Sequence, residues 1–241
     1  MINLSQRLVN NVAKIFPDAI FYKKTSEKVV ALTIDDAPPK DEEEYGTELI
    51  LKTIADHNQR YSNLEPARAT FFIISGHLRP NSQIIPKIIA HGHEIANHGV
   101  IDETHAWLTP WQFEQQLKEA HIKLLDLTGN NIIRWYRPGR ALYNQQMLQA
   151  IERLTAKEKY DLRLVLASMI PFDTYDLTNY PWLTAIYVRQ MIFPGAILVF
   201  HAGSTKIAQN TAIALELILE DLRQRNYRIV TVSKLFNLSH E

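Results

Sequence analysis

The strongest constraint on the fold is a repeated alternation between apolar, β-branched segments and helical segments. Seven segments are predicted to be strands: 29–34, 69–75, 93–97, 132–137, 162–168, 196–201 and 227–233. Six helices are predicted between them: 47–57, 82–90, 110–126, 144–154, 182–192 and 208–225. Strands that alternate with helices form a parallel sheet with covered faces. We therefore expect an α/β fold of about seven parallel strands closed into a distorted barrel. A doubly wound open sheet fits the periodicity nearly as well.

Composition limits the domain count and the kinds of partner. The chain has 241 residues, a length that α/β barrels often use as one domain, so we expect residues 1–241 to form a single domain. Lys plus Arg and Asp plus Glu both number 26, so no net field favours nucleic acid or an anionic membrane. There is no cysteine, so any metal must be held by Asp, Glu or His. No segment resembles a signal peptide or a membrane span, which makes a cytoplasmic location the expectation.

Two adjacent aspartates, Asp35 and Asp36, follow the first predicted strand. Ionised carboxylates at the end of a buried strand are costly unless something pairs with them. Neighbouring strand residues point in opposite directions, so one carboxylate could hold a metal while the other handles a proton. Taken alone, such a pair is more often a turn or a helix cap.

Other polar side chains share this position at or just beyond the end of a predicted strand: His98, Arg137, Asp173 and His201. In α/β barrels the active site lies at the carboxyl ends of the strands. Five strands that each deliver a chemically capable side chain to one edge therefore predict a catalytic site there.

A metal site is also indicated by His98 and Asp102, which are four residues apart. Side chains at that spacing share a face if the segment forms a helical turn. Together with Asp36 they would supply three protein ligands and leave an open position, as in catalytic zinc sites. His105, seven residues after His98, is the alternative third ligand.

These residues stand in motifs that resemble the polysaccharide deacetylase family, the carbohydrate esterases with a NodB-homology domain. Residues 33–38 (Thr-Ile-Asp-Asp-Ala-Pro) are similar to the family's Thr-Phe-Asp-Asp-Gly-Pro, and residues 92–98 to its Gly-His-Glu-Ile-Gly-Asn-His. Residues 137–139 (Arg-Pro-Gly) fall where the family has an Arg-Pro motif. Asp173 matches the Asp of the fourth motif, and residues 198–201 match the Leu-x-x-His of the fifth. The resemblance extends from about residue 29 to residue 233.

The resemblance implies a divalent metal, most simply Zn²⁺ with Co²⁺, Mn²⁺ or Ni²⁺ as alternatives, held by Asp36, His98 and Asp102. Its implied substrate is an N-acetylated sugar or polysaccharide, whose acetyl group is removed by hydrolysis of the C–N amide bond. The oxyanion would be stabilised by the metal and by a backbone N–H near Gly139 or Arg140.

The resemblance also implies the acid–base roles. Asp35 would be the general base, with Arg137 paired to it. His201 would be the general acid that protonates the leaving amine. Asp173 would hydrogen-bond to His201, fix its tautomer and raise its pKa.

The sequence departs from the family pattern at several positions. Ala37 replaces the usual Gly, so we expect the turn after the aspartates to avoid positive φ there. Asp102 stands where the second metal histidine is usual, and we favour it over His105 as the third ligand. Residues 173–176 lack the usual tryptophan. Two alternatives therefore stay open, a catalytically silent carbohydrate-binding domain and an amidohydrolase for a small non-sugar amide.

Overall fold

Seven parallel strands form one curled sheet in the computed structural model, which describes residues 4–40, 44–129, 131–158, 160–169, 173 and 180–238. The strands are β1 Val29–Ala37, β2 Ala69–Ile73, β3 Glu94–Asn97, β4 Trp135–Tyr136, β5 Arg163–Leu164, β6 Ile197–His201 and β7 Arg228–Val230. The helices are α1 Leu4–Ile15, α2 Tyr45–Arg60, α3 Ile84–Ala90, α4 Pro110–Leu127, α5 Gln145–Glu158, α6 Pro181–Met191, α7 Thr205–Gln224 and α8 Val232–Phe236. In this part of the chain no helix is both long enough and apolar enough to cross a membrane.

Strand β1 is the centre of the sheet. The strand order is β5-β4-β3-β2-β1-β6, and β7 pairs with the first residues of β1. Because both faces of β1 are covered, eight of its nine residues are buried. This explains the nearly continuous run of aliphatic side chains from Val29 to Ile34.

The curl is completed by the segment that precedes β1. Ile20 forms a parallel bridge to Val165 just beyond β5, and Tyr22 forms an antiparallel bridge to Ala196 just before β6. Ser168 joins the same seam, since its backbone N–H donates to the carbonyl of Ile197. The expected distorted barrel is confirmed, in the form of a curled half-barrel, and the alternative of a doubly wound open sheet is wrong.

Alternation along β1 separates two cores. Val30, Leu32 and Ile34 belong to the larger core, which lies between the sheet and its helices. Val29 and Ala31 point the other way, into a smaller core. The other members of that smaller core are Phe72, Ala96, Trp135, Val165, Ile197, Val230, Val232 and Leu235. The same alternation places Thr33 and Asp35 on the inner face of the barrel.

The predicted elements differ from the observed ones mainly at their ends. The last predicted strand, 227–233, is shorter, because Thr231 caps helix α8 by accepting a hydrogen bond from the Lys234 N–H at 3.1 Å. Helix α1 was not predicted at all. Helix α5 is capped by Asn144, whose side chain accepts a hydrogen bond from the Met147 N–H at 3.0 Å.

Candidate active site at the strand tips

A buried ion pair joins the inner face of β1 to the end of β4. Arg137 Nη1 lies 2.6 Å from Asp35 Oδ1, and the same nitrogen donates to Thr33 Oγ1 at 2.7 Å. Both charged side chains are almost fully buried. The pairing expected from the sequence is thus present, and Thr33 is an additional partner.

The rest of the Arg137 guanidinium is also occupied. Its Nη2 donates to the Leu166 carbonyl at 3.0 Å and its Nε to the Val165 carbonyl at 3.3 Å. Its central carbon lies 4.1 Å from the ring centroid of Phe72. Burial lowers the pKa of Arg137, while the carboxylate of Asp35 opposes that change. These contacts fix the guanidinium and, through it, Asp35.

A local irregularity directs Asp36 differently from Asp35. The register between β1 and β2 shifts between Ile34 and Ala37, and Asp36 has a φ of 60°. The positive φ therefore falls on Asp36, and the residue that replaces the family's glycine, Ala37, does not need it. Gly203 leaves room for this turn, because a Cβ there would lie 3.2 Å from the Asp36 carboxylate.

His98 connects Asp36 to the backbone of Arg137. Its Nδ1 lies 2.7 Å from the Arg137 carbonyl, which can only accept, so Nδ1 carries a proton. Its Nε2 lies 3.1 Å from Asp36 Oδ1 and 3.9 Å from Asp35 Oδ2. An unprotonated Nε2 would present a lone pair to two carboxylates, so a cation is required between them, either a proton or a metal ion.

The pKa shifts of His98 and Asp36 agree with a positive charge between these two side chains. Burial disfavours the charged imidazole, but Asp35 and Asp36 outweigh it and raise the pKa of His98. Burial alone would raise the pKa of Asp36, yet the His98 hydrogen bond and the positive charges of His98, His201 and Arg140 lower it to about 2.

His201 and Asp173 form the second polar pair. Asp173 Oδ1 lies 3.0 Å from His201 Nδ1, and its Oδ2 accepts from the His201 backbone N–H at 2.7 Å. Burial favours the neutral ring, but Asp173, with Asp35 and Asp36, raises the pKa of His201 to about 9. His201 is therefore protonated near neutral pH, as a general acid must be.

This raised pKa makes the free energy of unfolding depend on pH. The protonated His201 stabilises the fold fully below the ordinary pKa of 6.5, and that stabilisation is lost as the pH rises through about 9. The metal-free protein should lose about 3 kcal/mol over this window through His201 alone. Denaturant unfolding across that range, with Asp173→Asn as the matched variant, measures it. An Asp173→Asn profile that keeps the full pH dependence would contradict the assignment.

The structure does not bring Asp102 to Asp36 and His98. The segment between His98 and Asp102 is not helical, since Gly99 has a φ of 86°, so the face-sharing argument from their spacing is wrong. Asp102 Oδ1 instead lies 3.0 Å from Arg140 Nη2, and both side chains are exposed.

His105 is engaged at both ring nitrogens. Its Nδ1 accepts from the Gly139 N–H at 3.1 Å and from the Tyr136 hydroxyl at 2.7 Å, while Nε2 lies 3.3 Å from the Ile101 carbonyl. Burial, with the charge of His98, lowers the pKa of His105 to about 4, so the ring is neutral. The Gly139 N–H, one of the two backbone donors expected to stabilise an oxyanion, is therefore already engaged by His105.

Of the three expected metal ligands, Asp36 and His98 are placed as a divalent cation requires and Asp102 is not. Asp36 and His98 already face each other across a position that requires positive charge. Among the described residues, however, no three His, Asp or Glu side chains are grouped so as to hold a metal ion. Asp102 would complete the set only after leaving Arg140.

Two site residues escaped the sequence analysis. Thr33 could have been found, because it precedes Asp35 by two residues and shares its strand face. The Arg140 side chain could not, since its contact with Asp102 joins two separate loops.

The barrel and its strand-tip cluster of carboxylates, imidazoles and one buried arginine define an α/β-barrel protein with an acid–base site. The sequence model described as polysaccharide deacetylase matches residues 22–158. The chain belongs to the polysaccharide deacetylase family.

Individual relatives are similar over most of their length. A peptidoglycan-N-acetylglucosamine deacetylase of Bacillus cereus is 28% identical over 217 residues, which are 89% of this chain and 91% of the relative. A CE4 family pseudoenzyme from Bacillus anthracis shares the fold with a TM-score of 0.72 at 21% identity, over 92% of this chain and 69% of that one. An acetyl xylan esterase from Clostridium thermocellum in complex with a cobalt ion gives a TM-score of 0.70 at 22% identity, over 88% of this chain and 91% of that one.

Proposed function

We propose that the protein is a metal-dependent hydrolase that removes acetyl groups from an N-acetylated sugar or polysaccharide by cleaving the C–N amide bond. The observation that carries the proposal is the meeting of two acid–base pairs, Asp35 with Arg137 and His201 with Asp173, beside the facing pair Asp36 and His98.

Asp36 and His98 would hold the divalent cation, with Asp102 as the third ligand once it leaves Arg140. Zn²⁺ is the first candidate, because carboxylate and imidazole are its usual oxygen and nitrogen ligands, and Co²⁺, Mn²⁺ or Ni²⁺ also suit this set. A cation held there would polarise the acetyl carbonyl and make a bound water more acidic. The cobalt ion in the related acetyl xylan esterase supports a divalent cation here.

Two side chains of the protein, Asp35 and His201, carry out the two proton transfers. Asp35 takes a proton from the attacking water, and Arg137 keeps its carboxylate ionised and oriented. The developing oxyanion is met by the backbone N–H of Arg140. His201, protonated by virtue of Asp173, gives its proton to the leaving amine, so that the products are acetate and a free amino sugar.

The substrate class follows from the family and from the relatives, among them the peptidoglycan deacetylase of Bacillus cereus. We propose a carbohydrate with an accessible N-acetyl group. We also propose that residues 1–241 act as one catalytic domain, because the central strand β1 pairs with β2, β6 and β7 from both halves of the chain.

Acetate release tests the proposal. Purified protein is stripped of metal, reloaded with Zn²⁺, Co²⁺ or Mn²⁺, and incubated with N-acetylchitooligosaccharides, peptidoglycan fragments and small acetamides. We expect the metal-loaded protein to release acetate from the sugars and to lose this activity after chelation. Release from the small acetamides alone would favour an amidohydrolase for a non-sugar amide.

A catalytically silent carbohydrate-binding domain is the second candidate. It is favoured by the pairing of Asp102 with Arg140, which leaves the donor set incomplete, and by the similarity in fold to a pseudoenzyme. Saturable binding of the same oligosaccharides without acetate release, under each of the three metals, would establish it and overturn the hydrolase.

A further inference from the structure

The contact between Asp102 and Arg140 is built into the backbone of two loops. Arg140 and Ala141 both have positive φ, 60° and 55°, which is uncommon for two consecutive residues other than glycine. The turn is closed by the Ala141 N–H, which donates to the Pro138 carbonyl at 3.1 Å. This unusual backbone brings the Arg140 side chain to the loop that carries Asp102.

The two loops touch directly at Gly139. A Cβ on Gly139 would lie 2.0 Å from the Glu103 carbonyl oxygen, so only glycine allows this approach. The Gly139 N–H also donates to His105 Nδ1 on the second loop. Residues on either side of this contact, Arg140 and Asp102, are consequently held within reach of each other.

The position of Arg140 matters because it pairs with one carboxylate that the metal centre would use and its charge lowers the pKa of the other. Its Nη2 is 3.0 Å from Asp102 Oδ1, and its charge also acts on Asp36. A guanidinium and a divalent cation that share one carboxylate each weaken the other's contact with it, and they repel each other when close.

We infer that Arg140 competes with the divalent cation for the Asp102 carboxylate, so that Arg140 sets the metal affinity of this centre. The inference rests on the proposed function, because it requires a metal held by Asp36 and His98. In the metal-free protein the Asp102 carboxylate forms an ion pair with Arg140. Metal binding has to break this ion pair before Asp102 becomes the third ligand, and the metal then binds beside an uncompensated positive charge.

The test is the affinity for Zn²⁺ of the purified, metal-stripped protein, measured by competition with a chromophoric chelator. Because the ion pair is exposed, its loss should have a moderate effect, and Arg140→Gln should tighten zinc binding about tenfold. Arg153→Gln is the matched control, since Arg153 forms a similar partly exposed pair with Glu114 at 2.7 Å on helices α5 and α4. It should leave zinc affinity unchanged.

A double-mutant cycle identifies the carboxylate involved. Asp102→Asn should weaken zinc binding much more in the Arg140→Gln background than in the wild-type background, because only there is the carboxylate released in advance. An Arg140→Gln protein that binds zinc no more tightly than wild type overturns the inference, as does a gain that persists in the double variant.

The failure of the inference can be distinguished from the failure of the proposed function. Suppose that wild type binds zinc, that His98→Gln abolishes this binding and that Arg140→Gln leaves the affinity unchanged. The metal centre is then supported and the inferred role of Arg140 is overturned. If neither wild type nor Arg140→Gln binds zinc, both the inference and the metal-dependent function are overturned.

Discussion

Replacing Asp35 by asparagine is expected to lower kcat for acetate release by about 100- to 10,000-fold, the usual contribution of a general base. Asparagine has nearly the same shape and can still accept the hydrogen bond that Arg137 Nη1 makes at 2.6 Å. It cannot take up a proton at neutral pH. The loss should therefore appear in kcat, with KM for the oligosaccharide changed little.

The control for this variant is Asp161→Asn, which alters an exposed aspartate paired with Arg134 at 2.7 Å. Its kcat should equal that of wild type. Because Asp35→Asn leaves the buried Arg137 charge without its counterion, both variants are assayed below their melting temperatures. An Asp35→Asn enzyme within a few-fold of wild-type kcat would remove Asp35 from the role of base.

The second large effect is on stability. Arg137→Met is expected to lower the free energy of unfolding by about 3–5 kcal/mol, the cost of breaking a buried ion pair by removing one partner. Methionine fills much of the volume, but the carboxylate of Asp35 and the carbonyls of Val165 and Leu166 lose their donors. Denaturant unfolding of the two proteins at one pH measures the difference.

Arg134→Met is the matched control, because Arg134 also pairs with an aspartate and lies three residues earlier. Its partner Asp161 is exposed, so the expected cost is at most about 1 kcal/mol. The double variant Asp35→Asn with Arg137→Met should be more stable than the sum of the single losses predicts, since it no longer buries an unpaired charge. Equal losses for Arg137→Met and Arg134→Met would contradict the account of a buried, coupled pair.

Most of the fold follows from local sequence, because apolar β-branched runs alternate with helical segments over the whole sheet. The ends of elements depend on pairing that the sequence does not display. Strand β1 runs to Ala37 through its irregular turn, whereas β4 and β5 shrink to two residues each. Helix α1 was missed since it buries only Ser5 and Val9, and α8 since its first residue, Val232, continues an apolar, β-branched run.

The candidate site was predictable to the extent that it depends on strand ends. Asp35, Arg137, Asp173 and His201 lie where the parallel topology requires, and their mutual contacts are local to the barrel mouth. The relation of Asp102 to the site was not predictable, because it depends on a close approach of two loops. That approach needs positive φ at Arg140, a residue type that gives no such signal in a sequence.

The ion pair of Asp35 and Arg137 affects how catalytic activity can be inferred from the sequences of related proteins. It links β1 to β4 across the barrel interior, although β2 and β3 lie between them in the sheet. It is thus a structural brace, and selection for a folded barrel would retain both residues after hydrolysis had been lost. The presence of both residues in a homologue therefore does not show that the homologue is catalytically active. Asp102, whose exposed pair with Arg140 contributes little to the stability of the barrel, is a better position to inspect.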